Sequence, residues 1–225
     1  NCQRLAHRYY PPYLWHNQVK VHLEGNDWTN TRVYAQDVIQ EKTLEFIDAN
    51  KNRPFFLYVP ILLPHAELLV PEDSILQSYR GLYNDKPFIG RAGADYGPGL
   101  VDHMYCSQKE PRATHAAMIA RIDFYIGEIL AKIKSLGLDE NTLVMFTSDN
   151  GPHQEGGADP DFFDSNGPYR GYKRDLYEGG IRVPLIARWP GKIAPGKVTD
   201  HISAFWDIFP TFAELTGGKV EGKTD

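Results

Sequence analysis

Two oxygen-bearing side chains stand side by side where an apolar run ends. Residues 143–148 read as a buried strand, and they are followed at once by Asp149, Asn150, Gly151 and Pro152. In open α/β sheets, ligands bind just outside the carboxyl ends of the strands. A carboxylate next to an amide carbonyl can give two oxygens to Ca²⁺ or Mg²⁺, although a calcium shell needs about six to eight. An ordinary turn closing the strand explains the same residues at least as well.

An imidazole and two cations are expected near the same edge. His65 follows the apolar run 55–59 after a short link that contains proline, which places it at the end of a second strand. A histidine there can contact an oxyanion or donate a proton to a leaving group. Lys173 and Arg174 lie in a Gly-rich loop, and a lysine so held can neutralise charge on a tetrahedral anion. Loop side chains satisfied by backbone or water are the alternative for each, and the better one for Arg174.

A patch of polar residues follows the Asp-Asn pair. His153 stands next to it, and Arg174 is the nearest cation beyond Lys173. Such side chains commonly contact sugar hydroxyls, so we take His153 and Arg174 as candidate substrate-binding residues. Solvated loop charges explain most of the acidic members equally well: Glu155, Asp159, Asp161 and Asp164.

The elements that must position these residues alternate between helix and strand. Helices are expected over about 30–50, 114–136 and 206–215, and strands over 55–59, 143–148 and 183–187. This alternation predicts an α/β fold with a mainly parallel sheet flanked by helices, and run 55–59 is expected to be buried on both faces. The long helix carries apolar residues three and four apart, which predicts one buried stripe: Met118, Ile119, Ile122, Ile126, Ile129, Leu130 and Ile133.

The remaining segments lack a clear period. Residues 1–28 are aromatic and Pro-rich, and we expect an extended lead-in to a domain formed by residues 29–225. Residues 66–112 are rich in glycine and irregular, and so long a loop in a compact domain is typically a lid or a binding loop.

Composition excludes several classes of protein. The chain has 225 residues, 42% of them hydrophobic, so it can bury a sizeable core. The net charge of −5, without a stripe of Lys or Arg, argues against a nucleic-acid partner. No apolar run approaches the ~20 residues of a membrane-spanning helix. Two cysteines, Cys2 and Cys106, form neither a disulfide framework nor a CxxC site.

Taken in order, these segments resemble the sulfatase family, which has the alkaline-phosphatase-like fold. The resemblance rests on Pro64-His65, the long helix, Thr147-Ser-Asp-Asn-Gly-Pro152, and the stretch from Gly171-Tyr-Lys through Glu178-Gly-Gly-Ile-Arg-Val-Pro184. Trp189-Pro-Gly191 and the last helix follow.

The resemblance implies roles for the matching positions. Asp149 and Asn150 are expected to be calcium ligands, His65 the histidine that contacts the sulfate and assists the leaving oxygen, and Lys173 the lysine that binds a sulfate oxygen. The family hydrolyses sulfate esters with a formylglycine nucleophile, made from Cys or Ser in a C/S-x-P/A-x-R motif. The substrate is expected to be a sulfated sugar or aryl sulfate, and the compartment the periplasm, the cell surface or the exterior of a bacterium.

The formylglycine motif is absent from this sequence. The second position after Cys2 is Arg4, the second after Cys106 is Gln108, and no serine fits the motif. We therefore expect the C-terminal portion of a sulfatase catalytic domain, incomplete in its fold, inactive alone, and with weak or no calcium binding of its own. Apolar surface left exposed could support a homodimer.

Two alternatives stay open. A phosphodiesterase or phosphonate hydrolase of the same superfold shares the metal edge, and a non-catalytic carbohydrate-binding module could have kept the fold. Upstream sequence, paired assays with sulfate and phosphate esters, and calcium binding by this chain distinguish among these.

Overall fold

The computed structural model describes residues 8–90 and 105–222. They fall into two compact units, Asn1–Trp189 and Pro190–Asp225. Among the described residues, the first unit contains four short strands and four helices, and the second a single helix. The elements are β1 (Tyr13–His16), β2 (Val19–His22), α1 (Ala35–Asn50), α2 (Ser74–Tyr79), α3 (Pro111–Ser135), β3 (Val144–Thr147), α4 (Glu178–Ile181), β4 (Leu185–Arg188) and α5 (Ile208–Leu215), with 3₁₀ turns at Asp139–Asn141 and Phe205–Asp207.

The longest helix, α3, forms the spine of the first unit. It starts at Pro111, where a missing backbone N–H costs nothing, and it ends at Ser135, shortly before Gly137, whose φ of +70° suits glycine. The expected helix is confirmed, but its buried face is rotated from the predicted stripe: Met118 and Ile133 are buried, whereas Ile119 is 47% exposed. The buried face instead includes smaller and polar residues, because aromatic rings of other segments pack on it.

The core beside α3 is mainly aromatic. Tyr9 and Tyr34 stack with ring centroids 5.4 Å apart, and Tyr10 packs against Tyr34 at 5.2 Å. Burial of these rings drives the packing of the N-terminal segment on the helix. The buried members of this cluster are Tyr9, Tyr10, Tyr34, Leu63, Leu68, Met118 and Tyr125.

Both sheets among the described residues are two-stranded and antiparallel, so the predicted mainly parallel sheet is not confirmed. Strand β3 lies within the range expected from the sequence, β4 begins two residues later than expected and extends one residue further to Arg188, and Thr147 pairs with Leu185. In this register the end of β3 lies beside the start of β4. The loop that follows β3 and the loop that precedes β4 therefore emerge at the same end of the pair.

The prediction of a strand at residues 55–59 is wrong. The segment is irregular, and it alternates between half-buried and exposed residues, with Phe56 at 71% and Tyr58 at 75% exposure. Phe55 packs edge-on against Phe46 of α1, with ring centroids 5.9 Å apart. A strand requires a paired neighbour. No described segment pairs with this one, so continuous hydrophobicity here did not indicate two buried faces.

Two segments expected to be irregular contain regular structure. Residues 1–28 include the hairpin β1–β2, whose turn has Asn17 at a φ of +55°, a conformation that asparagine tolerates. The predicted loop 66–112 contains α2, capped by the Asp73 side chain, which accepts from the backbone N–H of Ile75 and Leu76. The part of that loop at 91–104 lies outside the described residues.

The last expected helix is present as α5 in the second unit. The 3₁₀ turn Phe205–Asp207 precedes it, and Asp207 accepts a 2.7 Å hydrogen bond from the backbone N–H of Ala204. Its end at Leu215 is the one predicted, and Gly217 follows with a φ of +73°.

Candidate active site

Glycine backbones join the loop after β3 to the loop before β4. The N–H of Gly151 donates to the carbonyl oxygen of Gly180 at 2.9 Å, and a Cβ on Gly151 would lie 1.9 Å from the oxygen of Gly179. A Cβ on Gly179 would in turn lie 2.2 Å from the oxygen of Gly171. Any side chain at Gly151 or Gly179 would force the loops apart. The Gly-rich pattern therefore serves close backbone approach.

Lys173 is anchored to the first loop through its main chain. Its N–H donates to the carbonyl oxygen of Pro152 at 2.8 Å. Its ammonium charge acts on both His153 and Glu155, lowering the pKa of each. The candidate lysine thus lies on a loop bonded directly to the loop of Asp149 and Asn150.

Arg174 turns toward Glu155. Its φ is +80°, and its guanidinium forms an ion pair with the Glu155 carboxylate. Burial alone would raise the pKa of Glu155, but this ion pair and the Lys173 charge bring the net shift below the usual value. The Arg174 side chain is 65% exposed, so its guanidinium contacts solvent as well as Glu155.

His153 is buried and uses both ring nitrogens within the chain. Its Nδ1 accepts from the Glu155 backbone N–H at 3.2 Å, and its Nε2 lies 3.0 Å from the Pro64 carbonyl oxygen. A carbonyl can only accept, so Nε2 carries the proton and the ring is the neutral Nε2–H tautomer. Burial is the main cause that lowers the pKa of His153, with Lys173 and Arg174 adding to it.

His65 lies directly beside His153. Their ring centroids are 6.0 Å apart with a 30° angle between the planes. The turn that carries His65 is closed by its N–H, which donates to Leu62 O at 2.9 Å, and its carbonyl accepts from the Tyr9 hydroxyl at 2.7 Å. The Nδ1 of His65 is hydrogen-bonded to the carbonyl oxygen of Ala66, which can only accept, so Nδ1 carries a proton.

A third imidazole, that of His115 on α3, lies beside His153. Its ring lies 6.1 Å from His153 and 5.6 Å from Phe163. Its buried Nδ1 has no hydrogen-bond partner within the described structure. Burial, and secondarily the His153 ring, lower the pKa of His115 to about 4. His115 was not predicted from the sequence, because nothing in its local pattern distinguishes it from other polar positions of the helix.

Asp149 and Asn150 offer two hard oxygen donors. Asp149 is exposed, and the Asn150 amide nitrogen donates to the Gly151 carbonyl at 2.9 Å, so its amide oxygen is the atom able to coordinate. Within residues 8–90 and 105–222, no group of three His, Cys, Asp or Glu side chains is arranged to hold a metal ion. The pair fits part of a calcium shell and needs oxygen ligands from elsewhere.

Much of the acidic patch serves structure. Asp159 forms a 2.7 Å ion pair with Arg112, and Asp161 accepts from the Tyr172 hydroxyl. Glu155 pairs with Arg174, as described above. These carboxylates hold the loop after His153 together.

Lys173, the turn of His65 and the Asp-Asn pair thus lie on segments that hydrogen bonds join to one another. A family model described as Sulfatase matches residues 3–218. The chain belongs to the sulfatase family.

Individual relatives agree with this assignment. The chain is 32% identical over 178 residues to the steryl-sulfatase of Rattus norvegicus, covering 78% of this chain and 25% of that protein. It is 33% identical over 185 residues to an N-acetylgalactosamine-6-O-sulfatase of Bacteroides thetaiotaomicron, covering 80% and 30%. The chain therefore spans about a quarter to a third of the length of these relatives.

A solved structure supports the fold. The crystal structure of Ps i-CgsB in complex with k-i-k-neocarrahexaose superposes with a TM-score of 0.71 at 28% identity, covering 93% of this chain and 38% of that one. The alkaline-phosphatase-like fold of sulfatases is thus supported for this chain, although its described strands pair antiparallel.

Proposed function

We propose that this chain supplies the histidine–lysine side of the sulfate-ester site of a longer sulfatase. The carrying observation is that the turn of His65, through the Pro64 carbonyl, and the backbone N–H of Lys173 are both bonded to the loop that follows Asp149, at His153 and Pro152 respectively. The C/S-x-P/A-x-R motif is absent from the 225 residues. On this proposal, the chain alone does not turn over sulfate esters.

The proposed roles follow from charge and tautomer. The Lys173 ammonium neutralises charge that grows on the sulfate oxygens during S–O cleavage. His65 contacts the sulfate and, when protonated at Nε2, gives that proton to the leaving alcohol oxygen. Asp149 and Asn150 would hold part of the calcium, which supplies positive charge beside the sulfate when bound. The remaining candidates for contact with substrate are His153 and Arg174, whose side chain is largely exposed.

The proposed substrate is a sulfated carbohydrate, with an aryl sulfate as the second possibility. Two observations favour a sugar: the name of the Bacteroides relative, and the oligosaccharide bound in the Ps i-CgsB structure. A periplasmic, cell-surface or secreted location in a bacterium would suit such a substrate. Among the described residues, no helix combines the length and apolar character needed to cross a membrane.

The decisive test is an assay of the complete gene product on the sulfate and phosphate esters of one alcohol. We expect the sulfate ester to be preferred and Lys173→Ala to lower kcat by about 10²–10³, the usual cost of one charge-stabilising group. Lys192→Ala, a change at an exposed lysine, is the matched control and should leave kcat unchanged. Preference for the phosphate ester would point to the phosphodiesterase alternative. Full activity of Lys173→Ala would refute the assigned role.

Calcium binding by the 225-residue chain tests the alternative of a binding module. Two ligands without partners should bind weakly, so titration calorimetry should show no tight stoichiometric site. A tight site that Asp149→Asn abolishes would favour an independent module over an incomplete sulfatase site.

Association through apolar surface is also proposed. On β4, Leu185 is 47% and Ile186 60% exposed. A homodimer formed through this strand should be weakened by Ile186→Glu. Analytical ultracentrifugation of the unsubstituted chain and of the variant measures the difference. A monomer at all concentrations would exclude it.

A further inference from the structure

We propose that His153 is a positioning residue that ties the turn of His65 to the loop after Asp149 and Asn150, the loop to which the Lys173 backbone is bonded. This inference rests on the proposed function only in taking His65 and Lys173 as the groups that act on the sulfate. It gives His153 a role different from the substrate contact expected from the sequence.

The contacts of His153 bridge two segments that are distant along the chain. Its Nε2–H donates to the carbonyl of Pro64, 89 positions away and in the same peptide unit as the His65 nitrogen. Its Nδ1 accepts from Glu155, whose carboxylate holds Arg174. One imidazole thus connects the histidine turn to the loop that follows the Asp-Asn pair, and both of its nitrogens are used in doing so.

The surroundings keep this bridge in one protonation state. Imidazoles lie on either side of His153, His65 at 6.0 Å and His115 at 6.1 Å. The cations Lys173 and Arg174 disfavour protonation of His153 to its charged form, whereas the carboxylate of Glu155 favours it. The residue is only 7% exposed, so burial also favours the neutral tautomer that both hydrogen bonds require.

Two substitutions separate the two hydrogen bonds. In His153→Gln the side-chain amide reaches the position of Nε2 and can still donate to Pro64, whereas in His153→Asn the shorter amide reaches only the position of Nδ1 and can still accept from Glu155. In the complete gene product, we expect His153→Gln to keep kcat within about threefold. His153→Asn should lower kcat at least tenfold, the factor that corresponds to ~1.4 kcal/mol, with KM changed much less.

Thermal unfolding of both variants, and of the control His16→Asn at an exposed hairpin position, shows whether they fold equally well. Equal kcat in the Gln and Asn variants, with both folded, would overturn the proposal. A rise in KM with kcat unchanged in both would instead show that His153 contacts substrate.

A second readout uses the 225-residue chain and needs no turnover. The His65 amide nitrogen shares a peptide unit with the Pro64 carbonyl, so its ¹⁵N signal reports the hydrogen bond from residue 153. We expect one sharp His65 amide signal in the unsubstituted chain and in His153→Gln, and a shifted or split signal in His153→Asn. Identical signals in all three would refute positioning. If His65→Ala retained full kcat while the amide signal behaved as expected, the proposed function would fail and the positioning role would stand.

Discussion

The imidazole of His115, whose Nδ1 is buried, should make the stability of this chain depend on pH. Its pKa is about 4 in the folded chain against 6.5 for an unperturbed histidine, so the unfolded state binds more protons between these values. Because the folded pKa is depressed, the stability is fully present above the unfolded pKa and is lost as pH falls toward 4. From pH 7 to pH 5 this residue alone should remove about 2 kcal/mol from the free energy of unfolding.

Urea unfolding of the 225-residue chain at pH 7 and pH 5 measures this loss. His115→Phe keeps a ring against Phe163 and His153 but cannot titrate, so its loss over the same interval should be smaller by about 2 kcal/mol. His16→Asn removes an exposed imidazole and controls for the loss of one histidine. If unfolding of His115→Phe depended on pH as steeply as that of the unsubstituted chain, His115 would not be held neutral by burial.

Two further predictions concern backbone approach and a buried cation. Gly179→Ala should cost about 3 kcal/mol or more, because the new Cβ would lie 2.2 Å from the Gly171 oxygen, whereas Gly127→Ala in open space on α3 should stabilise by about 0.5–1 kcal/mol. Arg121→Met removes a buried guanidinium and leaves the partly exposed carboxylates of Asp37 and Asp73 without this partner, which should cost about 2 kcal/mol. Arg182→Met breaks an exposed ion pair and should cost under about 0.5 kcal/mol. Urea unfolding measures each, and equal costs within either pair would contradict the reasoning.

The sequence predicted the helices better than the sheet. Helices α1, α3 and α5 overlap the ranges predicted from periodicity, which is a local signal, although α1 begins at Ala35 and not near residue 30. Strand pairing depends on neighbours distant along the chain, which is why residues 55–59 read as a strand and are none. The rotation of the buried face of α3 has a similar cause: Ile119 is left exposed because the Tyr9 and Tyr34 rings pack elsewhere on the helix.

The residue types of the candidate site could be predicted from the sequence, whereas the hydrogen bonds that join its segments could not. His65, Asp149 and Lys173 could be selected because each follows an apolar run or stands in a glycine-rich loop. The bridge through His153 could not, since it joins positions 89 residues apart through a ring nitrogen and a backbone carbonyl. The roles assigned to these residues remain predictions.

The placement of Lys173 depends on main-chain contacts, and this makes its substitution interpretable. Its N–H bonds to Pro152 and the loop is held by the approach of Gly179 to Gly171, so Lys173→Ala removes a charge without removing either contact. Gly179→Ala does the reverse, because it keeps the ammonium and displaces the backbone that carries it. If the charge acts only when held in place, both variants must lower kcat of the complete gene product, while only the glycine variant lowers stability. If Lys173→Ala lowered kcat and Gly179→Ala did not, the ammonium would reach the sulfate without the close packing of the glycines.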